Sequence, residues 1–144
     1  MSRDDQRQRV YDWEHSCVKK GQVVSLEQAK TLVDYIWAKE GYEYPPVVRR
    51  IPKQNRKWAG KATRTCIWFE ERVSTQTVIH EIAHALTMDI DGNCPTDGAH
   101  GSTFMGVYMK LLSEYMDTCL FVLMHTAEKA NVKFDVSARP VIAD

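Results

Sequence analysis

Five consecutive residues, His80-Glu81-Ile82-Ala83-His84, constrain this chain more than any other feature, because they fall inside a stretch whose apolar residues keep a helical period. From Ser74 onward, Val78, Ile79, Ile82, Ala83, Leu86 and Ile90 form one apolar stripe, and Ser74 or Thr75 stands where a helix cap is needed. Four residues slightly exceed one helical turn, so both imidazoles leave the same face, about 6 Å apart along the axis. Two ring nitrogens so placed can reach one ion at ~2.0–2.1 Å. Glu81, turned about 100° from His80, flanks that ion without ligating it.

A carboxylate in that position can take a proton from a zinc-activated water, whose pKa falls towards about 7, and pass it to a leaving group. This is the HExxH pattern of zinc metallopeptidases, and at this chain's His and Glu frequencies chance produces only about 0.01 such motifs over its length. Catalytic zinc usually takes three protein ligands, so a third is expected elsewhere. The extended pattern HExxHxxGxxH fails, with Thr87 and Ile90 where Gly and His would stand. Asp89, Asp91, Cys94, Asp97, His100 and Glu114 are the downstream candidates. His100 fits best, because it lies beyond a loop long enough to fold back and sits between small residues, in Gly98-Ala-His-Gly-Ser-Thr-Phe104. Glu114 would be a glutamate-type ligand, but a straight helix would carry it about 21 Å beyond His100.

The remaining residues are read as one α+β domain spanning 1–144. Val10, Trp13 and Cys17 predict an amphipathic helix over residues 3–18. Ser25 with Glu27 and Gln28 opens a second, in which Ala29, Leu32, Val33, Ile36 and Trp37 recur at helical spacing before Gly41. Pro45-Pro46 excludes further helix. The runs 47–51 and 65–69 then read as strands separated by turns around Asn55 and Gly60, within a small sheet of about three strands. A loop is expected over 91–98. Ser102 is expected to cap one long C-terminal helix carrying Phe104, Val107, Tyr108, Leu111, Leu112, Tyr115, Leu120, Val122 and Leu123, with Met105, Met109 and Met116 filling core, and residues after Asn131 suggest one strand.

The segments His80-Glu-Ile-Ala-His-Ala-Leu86 and His100-Gly-Ser-Thr-Phe104 together resemble the SprT-like zinc metallopeptidases, the Spartan-type family, whose pattern is HExxHA followed by HGxxF at the start of the next helix. The match runs over residues 74–108. The N-terminal Arg-Val-Tyr-Asp-Trp-Glu14 and the short length also resemble small metallohydrolases of actinobacteria and their phages. The resemblance implies a zincin-like fold, one zinc held by His80, His84 and His100, Glu81 as general base, and a protein or peptide substrate. It further implies a sheet edge lining the cleft, here expected at 65–69, which would hold an extended substrate by backbone hydrogen bonds. No Cys-rich zinc ribbon is present, so the DNA targeting of longer members does not carry over.

Nineteen basic and nineteen acidic residues balance to zero, so bulk charge selects no polyanionic partner. Between Glu43 and Glu70, however, Arg49, Arg50, Lys53, Arg56, Lys57, Lys61 and Arg64 interleave with Trp58 and Trp68. Such a segment can follow a single-stranded nucleic acid. It also suits a sheet edge protected by charge, which is the favoured reading. A zinc-stabilised binding module is accordingly the alternative to an enzyme. Tyr108, Tyr115, His125 and Arg64 could each donate to an oxyanion, with nothing in the spacing to choose among them, while His15 and His125 read as surface or structural. The widely spaced Cys17, Cys66, Cys94 and Cys119 read as free thiols. No apolar run approaches a membrane span and the N-terminus is polar, so a cytoplasmic location is expected, the host's cytoplasm if the chain is phage-encoded.

Overall fold

The computed structural model describes residues 4–52 and 60–141. Among them the chain is α+β, with helices α1 (Arg7–Cys17), α2 (Leu26–Lys39), α3 (Thr75–Thr87), α4 (Ser102–Tyr115) and α5 (Leu120–Lys129) and strands β1 (Val23–Ser25), β2 (Val47–Arg50), β3 (Gly60–Ala62), β4 (Cys66–Phe69) and β5 (Arg72–Ser74). No helix among the described residues is long and apolar enough to cross a membrane.

Local chemistry explains where the helices begin. Ser25 closes a reciprocal capping box with Gln28, at 3.1 and 2.9 Å, which satisfies two donors at the start of α2. Ser74, the nearer to the strand of the two expected caps, accepts from Thr77 N–H and starts α3. Since Ser74 is also the last residue of β5, the strand delivers the chain directly into α3. At α4 the expected cap is displaced. Gly101 is the N-cap, and Asp97 reaches forward to accept from both the backbone N–H and the hydroxyl of Thr103 at 3.0 Å. A Cβ at Gly101 would run into the backbone of Asp97, so the turn that presents His100 closes only around glycine.

A three-stranded sheet has the order β2-β4-β3, with β2 parallel and β3 antiparallel to β4, and β1 pairs separately with β5. Gly60, expected in a turn, instead begins β3 opposite Phe69. The 65–69 run is therefore the central strand and not an edge, because both of its sides are already hydrogen-bonded. Ile67 and Phe69 from β4 join Val78, Ile79, Ile82 and Leu86 of α3 in one buried cluster with Val33, Ile36 and Trp37 of α2 and Phe104, Tyr108 and Leu112 of α4. Helix α3 thus lies between sheet and helices, whose packing sets the direction of its histidine face.

Other expectations shift at element ends. Helix α3 stops at Thr87, leaving Ile90 at 72% exposure, outside the stripe. Cys17 is exposed, whereas Val10 and Trp13 are buried and Trp13 Nε1 donates to Thr126 of α5. The single long C-terminal helix is two, broken at 116–119 where Asp117 adopts a left-handed φ of 51°. As a result Val122 lies on the exposed side of α5 and Leu123 on the buried side. Among the described residues no strand forms after Asn131. That segment is held by separate backbone bonds, from Asp135 N–H to Ser102 O and from Val141 N–H to Leu86 O. It passes so close to α4 that a Cβ at Gly106 would collide with the Asp135 carbonyl.

Candidate metal centre

Three imidazoles from two elements converge beneath a cleft of about 260 Å³. His80 and His84 come from one face of α3, and His100 from the turn before α4. Nε2 of His84 lies 3.1 Å from Nε2 of His80 and 3.1 Å from Nε2 of His100. Ligands at ~2.0–2.1 Å in tetrahedral array stand about 3.3 Å apart, close to both of these spacings, and all three ligand atoms lie within 4.8 Å of one another. His80 and His100 are buried and His84 half-buried. Phe104 forms the floor, stacked on His84 at 4.3 Å.

Proton positions sharpen the fit. His80 Nδ1 lies 2.6 Å from Glu14 Oε2, and His100 Nδ1 lies 2.9 Å from Asp4 Oδ2. Ionised carboxylates only accept, so each Nδ1 carries a proton, and in the neutral ring Nε2 is then the atom that offers a lone pair to an ion. A cation between the three Nε2 atoms can draw a lone pair from each ring, whereas a proton on one Nε2 can bridge only a pair of them at 3.1 Å. The group formed by His80, His84 and His100 can therefore hold a metal ion. The same carboxylate-to-histidine support orients ligands in metal sites generally.

The N-terminal segment supplies this outer layer, which the sequence reading missed. Glu14 also accepts from Tyr108 at 2.5 Å and from Gln76 at 2.7 Å. Gln6 is buried, donates to the His100 carbonyl at 2.9 Å and pairs with the backbone of Lys133. Tyr11 lies against the rings of His80 and His100, at 6.0 and 5.2 Å between centroids. A signal was present: Gln6 and Glu14 share the helical face of Val10 and Trp13, and polar residues on an apolar stripe need buried partners. Replacing Glu14 with Gln, or Asp4 with Asn, should weaken metal binding about 10–100-fold. Competition with a chromophoric chelator would measure this, and unchanged affinity in both variants would remove the support role.

Electrostatics follow the burial. Burial works against a charged His80, but Glu14 outweighs it and holds the pKa above the ordinary value. Burial and the neighbouring His80 and His100 push His84 well down. Burial also lowers His100, with Asp4 opposing. The Glu81 carboxyl, 7% exposed in the cleft wall, is pushed up to about 7 by burial, against the pull of His80 and with help from Glu14.

The remaining sequence candidates are placed elsewhere. Asp89 accepts from the backbone of Asp91 and Asn93 and builds its own loop, and Asp97 caps α4. Cys94 lines the cleft but does not belong to the histidine group. Glu114 is exposed on the last turn of α4 beside Glu40. The strand in the cleft wall is β3, not 65–69. Gly60 permits this approach, since a Cβ there would lie 2.8 Å from Glu81 Cγ and 3.0 Å from its Oε2. In the basic segment, Arg50 lies 3.7 Å from Glu71, Lys61 lies over Trp68 and Arg64 over Trp37. Lys53, Arg56, Lys57 and Trp58 lie outside the described residues. His15 and His125 are exposed, and all four cysteines are free.

Comparison of the chain with protein-family models, with curated proteins and with solved structures returns no match.

Proposed function

We propose that this chain is a zinc-dependent hydrolase that cleaves peptide bonds, with a zincin-like, SprT-like arrangement of ligands and base. The observation that carries this reading is the convergence of three inward-facing Nε2 atoms beside the carboxylate of Glu81 in one open cleft. His80, His84 and His100 would hold the ion. A neutral three-imidazole set with room for a further ligand favours zinc among common ions. Bound there, zinc supplies a Lewis acid that acidifies water and polarises a carbonyl.

This chain's own residues perform the rest. Glu81 follows His80 directly but leaves the helix about 100° away, so its carboxylate borders the ion's position instead of filling it. It accepts a proton from the attacking water and returns it to the departing amine nitrogen. The carboxylates of Glu14 and Asp4 keep the proton on Nδ1 of His80 and His100, which reserves both Nε2 atoms for the metal. Strand β3 brings backbone to the cleft beside Glu81, where an extended chain can lie.

The test is hydrolysis of a randomised quenched-fluorescent peptide library by protein loaded with one equivalent of zinc. Cleavage should cease with a chelator and return with stoichiometric zinc. Protein that holds zinc tightly yet cuts nothing in the library would overturn this reading in favour of a zinc-stabilised binding module.

A further inference from the structure

Attack on an amide places negative charge on the carbonyl oxygen, and hydrolases aim a hydrogen-bond donor at that atom. The groups singled out in the sequence do not serve. Tyr108 is fully buried and its hydroxyl donates to Glu14. The hydroxyl of Tyr115 donates to Glu40 at 2.7 Å. His125 is exposed on α5, and Arg64 lies over Trp37.

Another phenol does line the cleft. Tyr11 projects from α1 with its ring nearly parallel to His80, at 20°, and edge-on to His100, at 66°. Two of the three imidazoles therefore fix its position, while the residue keeps 38% of its surface exposed. Arg7, one turn earlier, also lines the cleft, and its guanidinium reaches both the ring, 5.6 Å from the centroid, and the hydroxyl of Tyr11. A guanidinium only donates, so in that contact the phenolic oxygen is the acceptor. The phenolic proton remains available for a second partner: burial raises the phenol above its ordinary pKa and keeps it protonated, while the Arg7 charge opposes that rise.

We infer that the Tyr11 hydroxyl, oriented by Arg7, is the donor that stabilises the oxyanion developing on the carbonyl of the bound substrate. This rests on the hydrolase reading above. Tyr11 is then a catalytic residue and Arg7 a positioning residue. No proton is transferred from Tyr11, because hydrogen bonding alone lowers the energy of the charged oxygen. The arrangement also explains why an N-terminal helix that already supplies Glu14 presents an aromatic residue to the cleft.

Tyr11→Phe keeps the ring against both histidines and removes only the hydroxyl. It should leave metal content and metal affinity unchanged while lowering kcat on the best-cut library peptide by about 10²–10³-fold, the loss typical of one oxyanion donor. A phosphinate built on that peptide, whose tetrahedral anionic oxygen mimics the transition state, should lose affinity in the same range. Arg7→Gln should lose less in both measurements, with KM little changed. Wild-type turnover and phosphinate affinity in Tyr11→Phe would overturn the role of Tyr11 alone. Metal loss in Tyr11→Phe equal to the loss of activity would overturn it in favour of a packing role. A zinc-loaded wild-type protein that cuts no peptide would remove the hydrolase reading and this role with it.

Discussion

Glu81→Gln should leave one metal ion bound per chain and lower peptide hydrolysis by about 10²–10⁴-fold. The substitution preserves size and hydrogen-bonding shape but removes the basic oxygen. Because the carboxylate is 7% exposed and packs beside the backbone of Gly60, the amide occupies the same space without opening a cavity. Glu81 does not belong to the group of His80, His84 and His100, so metal affinity should change far less than turnover. Metal content by mass spectrometry and kcat on one library peptide would be read on the same preparation. Full activity in Glu81→Gln would dismiss Glu81 as the base. Loss of the metal along with activity would make it a ligand instead.

The parts of this fold that were legible in sequence are those governed by local chemistry. The helix bearing His80 and His84 announces itself through a strong apolar period and a Ser74 cap, and α2 does so through its capping box. The break between α4 and α5 does not, because Met116 and Leu120 continue the apolar pattern and the reversal is carried by Asp117 in a left-handed conformation that is uncommon outside glycine. Strands β1, β3 and β5 have three residues each, too few for alternation to register, and exist through their pairing with distant partners. Position along the chain also misleads. The run that is richest in β-branched and aromatic residues became the middle of the sheet, while Gly60, a turn former by composition, stands at the cleft because only glycine leaves room for Glu81. The site divides the same way. Histidine spacing is visible in one dimension, but Asp4 and Glu14 lie 96 and 66 positions from the histidines they support, and no local pattern links them.

His100→Ala should remove more metal affinity than the outer-layer variants, beyond the ~10–100-fold expected of those, because on the proposed reading it deletes one of three ligand atoms. Its effect on stability follows from linkage. An ion that binds only the folded chain stabilises it by about 2.7 kcal/mol when free metal is at 100 times Kd, so added zinc should raise the wild-type Tm. In His100→Ala the same addition should raise it little or not at all. Glu114→Ala is the control. This carboxylate is exposed on the last turn of α4, near Glu40, and does not belong to the histidine group, so its removal should leave both affinity and the zinc-induced Tm shift as in wild type. Affinity should also fall as pH drops through the imidazole range, since protons compete for the inward nitrogens that the metal requires. A zinc-dependent Tm shift retained in His100→Ala but lost in Glu114→Ala would reverse the assignment and move the ion's third ligand to the far end of α4.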